Sequence, residues 1–230
     1  MINFINRNLR RIVLEKDKLI HGILWSVFYL IVYGVLSVVG NFLFPVEFLI
    51  GCGLIGGVYI LINAFFIRYK RERLFVNGLL SAFAVLCLGI LIGKQLKFQD
   101  VLALGAAISI IDILSFTKHG KHTTNAKAMS NIHFMSKLIV YGKEKNDVLV
   151  PTCGIGDYFY YSMWISGIHT ISNSIYAYLL AVCMILLGSC IHYAIIMKLS
   201  RRENYKGFPG TVFPFLCIAV QYTILHFLRC

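Results

Sequence analysis

Pro151-Thr152-Cys153-Gly154-Ile155-Gly156-Asp157-Tyr158-Phe159-Tyr160-Tyr161-Ser162 opens one of the apolar stretches of the chain and sets a lone carboxylate directly behind two glycines. An ionised group in hydrocarbon costs roughly 2.5–3.5 kcal/mol on insertion scales, so an aspartate inside a spanning segment marks a functional site. A second carboxylate, Asp112, lies inside the apolar stretch immediately before. The other acidic residues fall in loops or at the ends of apolar runs.

The setting is a membrane. Of 230 residues, 58% are hydrophobic and 14% charged, with a mean hydropathy of +0.75. A soluble domain cannot bury that much apolar surface. The formal net charge of +12 sits between the apolar runs, where basic residues read as topology determinants, and no nucleic-acid motif accompanies them. The seven cysteines (Cys52, Cys87, Cys153, Cys183, Cys190, Cys217 and Cys230) lack paired metal-ligand spacing and read as small buried hydrophobes.

Apolar runs at Ile20–Val39, Val46–Ile67, Leu74–Gly93, Phe98–Thr117, Pro151–Ile171, Ile175–Lys198 and Pro209–Leu228 each approach the roughly 20 residues a helix needs to cross a bilayer. They predict seven spans. Of the 22 Lys and Arg residues, 19 fall within 1–19, 68–73, 118–145 and 198–206, leaving Lys94, Lys97 and Arg229 for the other side. The positive-inside rule then places the N-terminus in the cytoplasm and the C-terminus outside. The expected organisation is a basic juxtamembrane segment over 1–19, three spanning helices within 20–97, and a four-helix catalytic part over 98–230 carrying a cytoplasmic loop at 118–150. The fold class is an all-α polytopic bundle, integral and multi-pass, in the plasma membrane for a prokaryotic source.

Glycines recur in the second span at Gly51, Gly53, Gly56 and Gly57 and permit close helix packing. In the fourth span Gly105, Ser109 and Asp112 share one helix face, a small-residue stripe leading up to the carboxylate. Gly154 and Gly156 remove bulk ahead of Asp157, which predicts close approach of two backbones with the aspartates facing each other. The loop 118–150 ends in a predicted hairpin of Lys137–Tyr141 and Asp147–Val150, joined by a turn over Gly142–Asn146. Its residues Leu138, Ile139, Val140, Val148, Leu149 and Val150 form a candidate strand for pairing with a substrate. His119, His122 and His133 fit no common metal site, so neither metal nor cofactor is expected. Pro209-Gly210-Thr211 opens the last span with backbone that resists regular helix and can border a wet site; taken alone, the segment reads better as a plain helix start with Pro209 at its first position.

With these residues in place, the chain resembles the GxGD intramembrane aspartyl proteases, the family of presenilin and signal peptide peptidase, and among them the microbial presenilin-like homologues. Gly154-Ile155-Gly156-Asp157 is the signature itself, and Tyr158–Ser162 is similar to its aromatic continuation. Asp112 in Ile111–Phe116 is similar to the family's Tyr-Asp segment, with Ile111 in place of tyrosine. Thr117-Lys118-His119 and Lys121-His122 look like the residues that follow it in microbial members. Pro209-Gly210-Thr211 occupies the place of the Pro-Ala-Leu motif. The resemblance covers about residues 98–228 and implies a presenilin-like bundle, although presenilin has two more spans. It also implies Asp112 and Asp157 as catalytic residues, Gly154, Ile155 and Gly156 as active-site motif, and Pro209, Gly210 and Thr211 as a substrate-facing edge.

The implied activity is aspartic endopeptidase cleavage within transmembrane helices, using a water activated between the two carboxylates. From the N-inside polarity, the implied partners are transmembrane substrates with their N-terminus outside. The alternatives are a proton-coupled transporter using the same two carboxylates and a prepilin-type GxGD peptidase, whose signature continues differently where this chain has Tyr158.

Overall fold

The computed structural model describes residues 2–115, 117, 131–144, 148–199 and 209–229, the side chains of 2–16, 98, 132 and 229 excepted. His119, His122, the Thr117–His122 motif beyond Thr117, the turn over 145–147 and the last basic loop lie outside the described residues. The chain is mostly helical. In order it forms α1 (Ile2–Leu43), α2 (Val46–Leu61) ending in a π turn, α3 (Leu74–Gln95), α4 (Phe98–Ser115), the short α5 (Ile132–Lys137), strands β1 (Ile139–Lys143) and β2 (Leu149–Gly154), α6 (Ile155–Gly167), α7 (Ile175–Leu199) and α8 (Val212–Arg229). Among the described residues, four segments are long and apolar enough to cross a membrane: Asp17–Leu43, Val46–Phe66, Arg71–Gln95 and Ile175–Leu199.

The expected helix at Pro151–Ile171 is corrected at its start. Pro151–Gly154 belongs to β2, which pairs antiparallel with β1 through Ile139 opposite Gly154 and Tyr141 opposite Pro151. The helix starts only at Ile155, whose N–H is taken by the Leu138 carbonyl at 2.9 Å. Its thirteen α-helical residues rise about 20 Å, and a 3-10 turn over Ile168–Thr170 continues them. The hairpin is also longer than expected at its β2 end, and Leu138 and Val148 lie outside its strands.

The small residues decide which helices meet. On α3, Gly89 lies against Ser162 and the Phe159 carbonyl of α6, and a Cβ at Gly93 would come within 2.5 Å of the Met163 carbonyl oxygen. These two glycines, one turn apart, let α3 and α6 press backbone to backbone. On α2, Gly53 and Gly56 seat against Leu88 and Ala84 of α3, whereas Gly51 meets open space. The Gly105–Ser109–Asp112 stripe of α4 receives α8 through the Phe215 ring, not the helix that carries Asp157.

Helix α6 is the centre of the molecule. Its residues Met163, Trp164 and Ile165 are fully enclosed, and α1, α3, α4 and α7 pack around it. Tyr222 of α8 donates its hydroxyl to the Trp164 carbonyl at 2.6 Å, which keeps a buried phenol satisfied. Among the described cysteines only Cys87 is buried; Cys183 and Cys190 are exposed on α7, so the expectation of buried cysteines does not hold for them.

The N-terminal helices brace the hairpin. Trp25 of α1 lies flat where any side chain at Gly142 would stand, and Tyr29 donates to the Tyr141 carbonyl at 3.1 Å. Lys137, at the end of α5, bonds the Ala64 carbonyl at 3.0 Å and the Ile67 carbonyl at 2.5 Å. Its ammonium thereby satisfies main-chain acceptors left over at the end of α2.

Candidate active site

Asp157 stands at the third position of α6, in the first turn, because β2 runs directly into the helix at Gly154. Its Oδ2 accepts the Gly154 N–H at 3.2 Å. That bond is half of a capping box, and the carboxylate sits where the helix dipole favours negative charge. Gly154 has an ordinary extended backbone, φ −68° and ψ 150°, so its conformation does not demand glycine.

Asp112 lies near the C-terminal end of α4, half-buried. Its Oδ2 accepts two hydrogen bonds from Thr211, the backbone N–H at 3.2 Å and the hydroxyl at 2.9 Å. The neighbouring Gly210 faces the other carboxylate: a Cβ there would stand 3.8 Å from Asp157 Oδ1. Two consecutive residues thus reach one aspartate each. Asp112 and Asp157 line a single cavity of about 700 Å³, inside the range of about 300–1,000 Å³ usual for ligand sites.

The reason expected for the glycines is corrected. Among the described residues no helix approaches Gly156, where a Cβ would meet nothing within 4 Å, and at Gly154 it would make only ordinary contacts with Asp157 Oδ2 at 3.6 Å and the Leu138 carbonyl at 3.8 Å. The missing side chains leave room in the cavity instead of seating another backbone. Ile155 is buried at the cavity wall, and Pro209 is buried behind Gly210.

Of the candidate strand residues, Leu138 and Ile139 line the cavity. Val140 and Val150 do not; both are packed into the core, 0% and 2% exposed. Thr152 and Cys153, further along β2, line the cavity in their place. Tyr141 points away to the Ser136 carbonyl, to which it donates at 2.9 Å, and burial pushes its hydroxyl above the ordinary tyrosine value. His133 lies on the surface beside Tyr69, ring centroids 4.9 Å apart.

The wall supplied by α7 was not anticipated. Ser189, His192, Tyr193 and Ile196 all face the cavity, and the Tyr193 hydroxyl is 3.1 Å from Cys153 Sγ. One signal pointed to it: His192 is an ionisable side chain deep inside the apolar run Ile175–Lys198, the criterion that marked the aspartates. Comparison with family models, with curated proteins and with solved structures found no match for the chain.

Proposed function

We propose that the chain is an intramembrane aspartyl protease that hydrolyses peptide bonds within transmembrane helices. The observation that carries the reading is the placement of Asp112 and Asp157 on one cavity with Gly210 and Thr211 inserted between them. Two neighbouring carboxylates do not both ionise cheaply, so they share a proton. The ionised member takes a proton from water as it attacks the scissile carbonyl, and the protonated member hydrogen-bonds the developing oxyanion. A helical substrate must unwind first, since its amides are bonded internally. The hairpin at Leu138–Ile139 and Thr152–Cys153 borders the place where the freed strand would lie.

In this reading the chain crosses the membrane seven times, with the N-terminus in the cytoplasm, and α6 completes its crossing with the help of β2. The substrates have their N-terminus outside. The test is cleavage of a transmembrane peptide by purified protein, with Asp112→Asn and Asp157→Asn as separate variants. Each should abolish cleavage while leaving insertion and thermal stability intact; full activity in either variant overturns the reading.

One observation favours a second reading. His192 lines the same cavity as Asp112, and buried histidine–carboxylate chains serve as proton relays in transporters. Proton uptake into proteoliposomes, with no peptide cleaved, would decide for that alternative.

A further inference from the structure

The segment joining α2 to α3 is short and braced. α2 runs out in a π turn over Ile62–Phe66, and a single 3-10 turn over Arg71–Arg73 leads into α3. Tyr59 donates its hydroxyl to Asn77 Oδ1 at 2.7 Å, and Asn77 Nδ2 donates to Asn63 Oδ1 at 3.1 Å, which ties the end of α2 to the start of α3. Leu74, the first residue of α3, is buried. Lys137 donates to the carbonyls of Ala64 and Ile67, so these main-chain acceptors already face a cation.

Two kinds of surface meet on this frame. Phe65 and Phe66 are 67% and 81% exposed and stand beside the exposed Leu61 and Ile62, a surface suited to acyl chains. Within two residues the character inverts. Arg68, Lys70, Arg71 and Arg73 are all exposed, and Glu72 is the one acid between 68 and 73. Among the described residues none of these four cations forms an ion pair. Tyr69 stands among them with its ring 4.9 Å from His133 of α5, an amphipathic aromatic of the kind that settles at headgroup level. A set of topology determinants needs only charge; it needs neither a braced turn nor an aromatic collar.

We propose that the α2–α3 elbow binds an anionic phospholipid, its phosphate among Arg68, Lys70, Arg71 and Arg73 and an acyl chain along Phe65 and Phe66. Arginine offers paired N–H donors that match the oxygens of a phosphate. Each cation near an anionic surface contributes about fivefold in affinity. Phe65 also packs on Phe134 of α5, ring centroids 5.5 Å apart, and Phe134 lines the cavity. The bound lipid would therefore lie one ring away from the candidate active site. The proposal rests on the membrane setting of the chain and not on the protease reading.

The experiment titrates the full chain in detergent with dioleoylphosphatidylglycerol or dioleoylphosphatidylcholine and reads the lipid-bound fraction by native mass spectrometry at one low ionic strength. Wild type should bind the anionic lipid at least about tenfold more tightly than the zwitterionic one. Combining Arg68→Gln, Lys70→Gln, Arg71→Gln and Arg73→Gln should weaken phosphatidylglycerol binding by at least about tenfold. A control combining Arg7→Gln, Arg10→Gln, Arg11→Gln and Lys16→Gln removes the same charge and should stay within about threefold of wild type. If the elbow variant does not fold, Arg71→Gln with Arg73→Gln takes its place, with an expected loss of about fivefold. No lipid preference in wild type, or equal losses in the elbow and control variants, overturns the proposal. Glycerol phosphate in large excess should leave the lipid bound; complete displacement by it overturns the lipid as occupant in favour of a soluble phosphate.

Discussion

Thr211 gives both of its hydrogen-bond donors to one oxygen of Asp112, although 99 residues separate the two in sequence. The backbone bond needs only an N–H, which every residue but proline keeps, whereas the other bond needs a hydroxyl. Thr211→Val keeps the shape and removes that donor, and bonds to charged groups contribute about 1.5–3 kcal/mol. Cleavage of a transmembrane peptide by Thr211→Val should fall by about 10- to 100-fold, while Thr211→Ser stays within about threefold. Equal rates in the two variants would remove the hydroxyl from any role.

Two glycines in the same neighbourhood should answer oppositely to alanine. Gly156 lies in a helix with open space at its Cβ position, so Gly156→Ala should raise stability by about 0.5–1 kcal/mol. Gly89 is pressed against Ser162, and overpacking there should cost about 1–3 kcal/mol. Thermal unfolding of both variants checks the contrast. The larger Gly156→Val should also lower kcat/KM by filling the cavity.

Lys137 ties the end of the loop to the end of α2 through the carbonyls of Ala64 and Ile67. Lys137→Met keeps the stem and loses the ammonium. With solvent screening, the expected loss is about 1–2 kcal/mol, read as a lower unfolding midpoint in denaturant. Lys137→Arg should recover part of it.

The proposed crossing of α3 has a chemical test at its two ends. In a cysteine-free background, a cysteine replacing Lys70 should react with an impermeant maleimide only from the cytoplasmic side, and one replacing Lys97 only from outside. Labelling of both from the same side would remove that crossing and, with it, the N-inside assignment.

Asp112, Asp157 and Pro209–Thr211 could be picked out before any coordinates because each breaks a rule of its surroundings, a charge or a proline in an apolar run. Residues that obey the rules gave no such sign. Tyr193, Ser189 and Cys153 are unremarkable in an apolar segment, and only the third dimension sets them on the cavity. The course of β2 through Pro151 to Gly154 was hidden for a related reason: a hydropathy run is indifferent to whether its first turn is helix or strand. The partner of the Gly105 stripe was equally illegible, since small residues announce a close neighbour without saying which one. His192 breaks the same rule as the aspartates, an ionisable side chain deep in an apolar run.

The seam between Gly89–Gly93 and α6 also has a consequence in time. During synthesis α3 leaves the ribosome about seventy residues before its counterpart, so its glycine face stands uncovered until Ser162 and Met163 arrive. The early helices cannot finish as an independent unit, and a fragment starting at residue 98 would lack the surface on which its central helix is laid. Assembly of this chain therefore closes late, with the helix that carries Asp157 as the wedge.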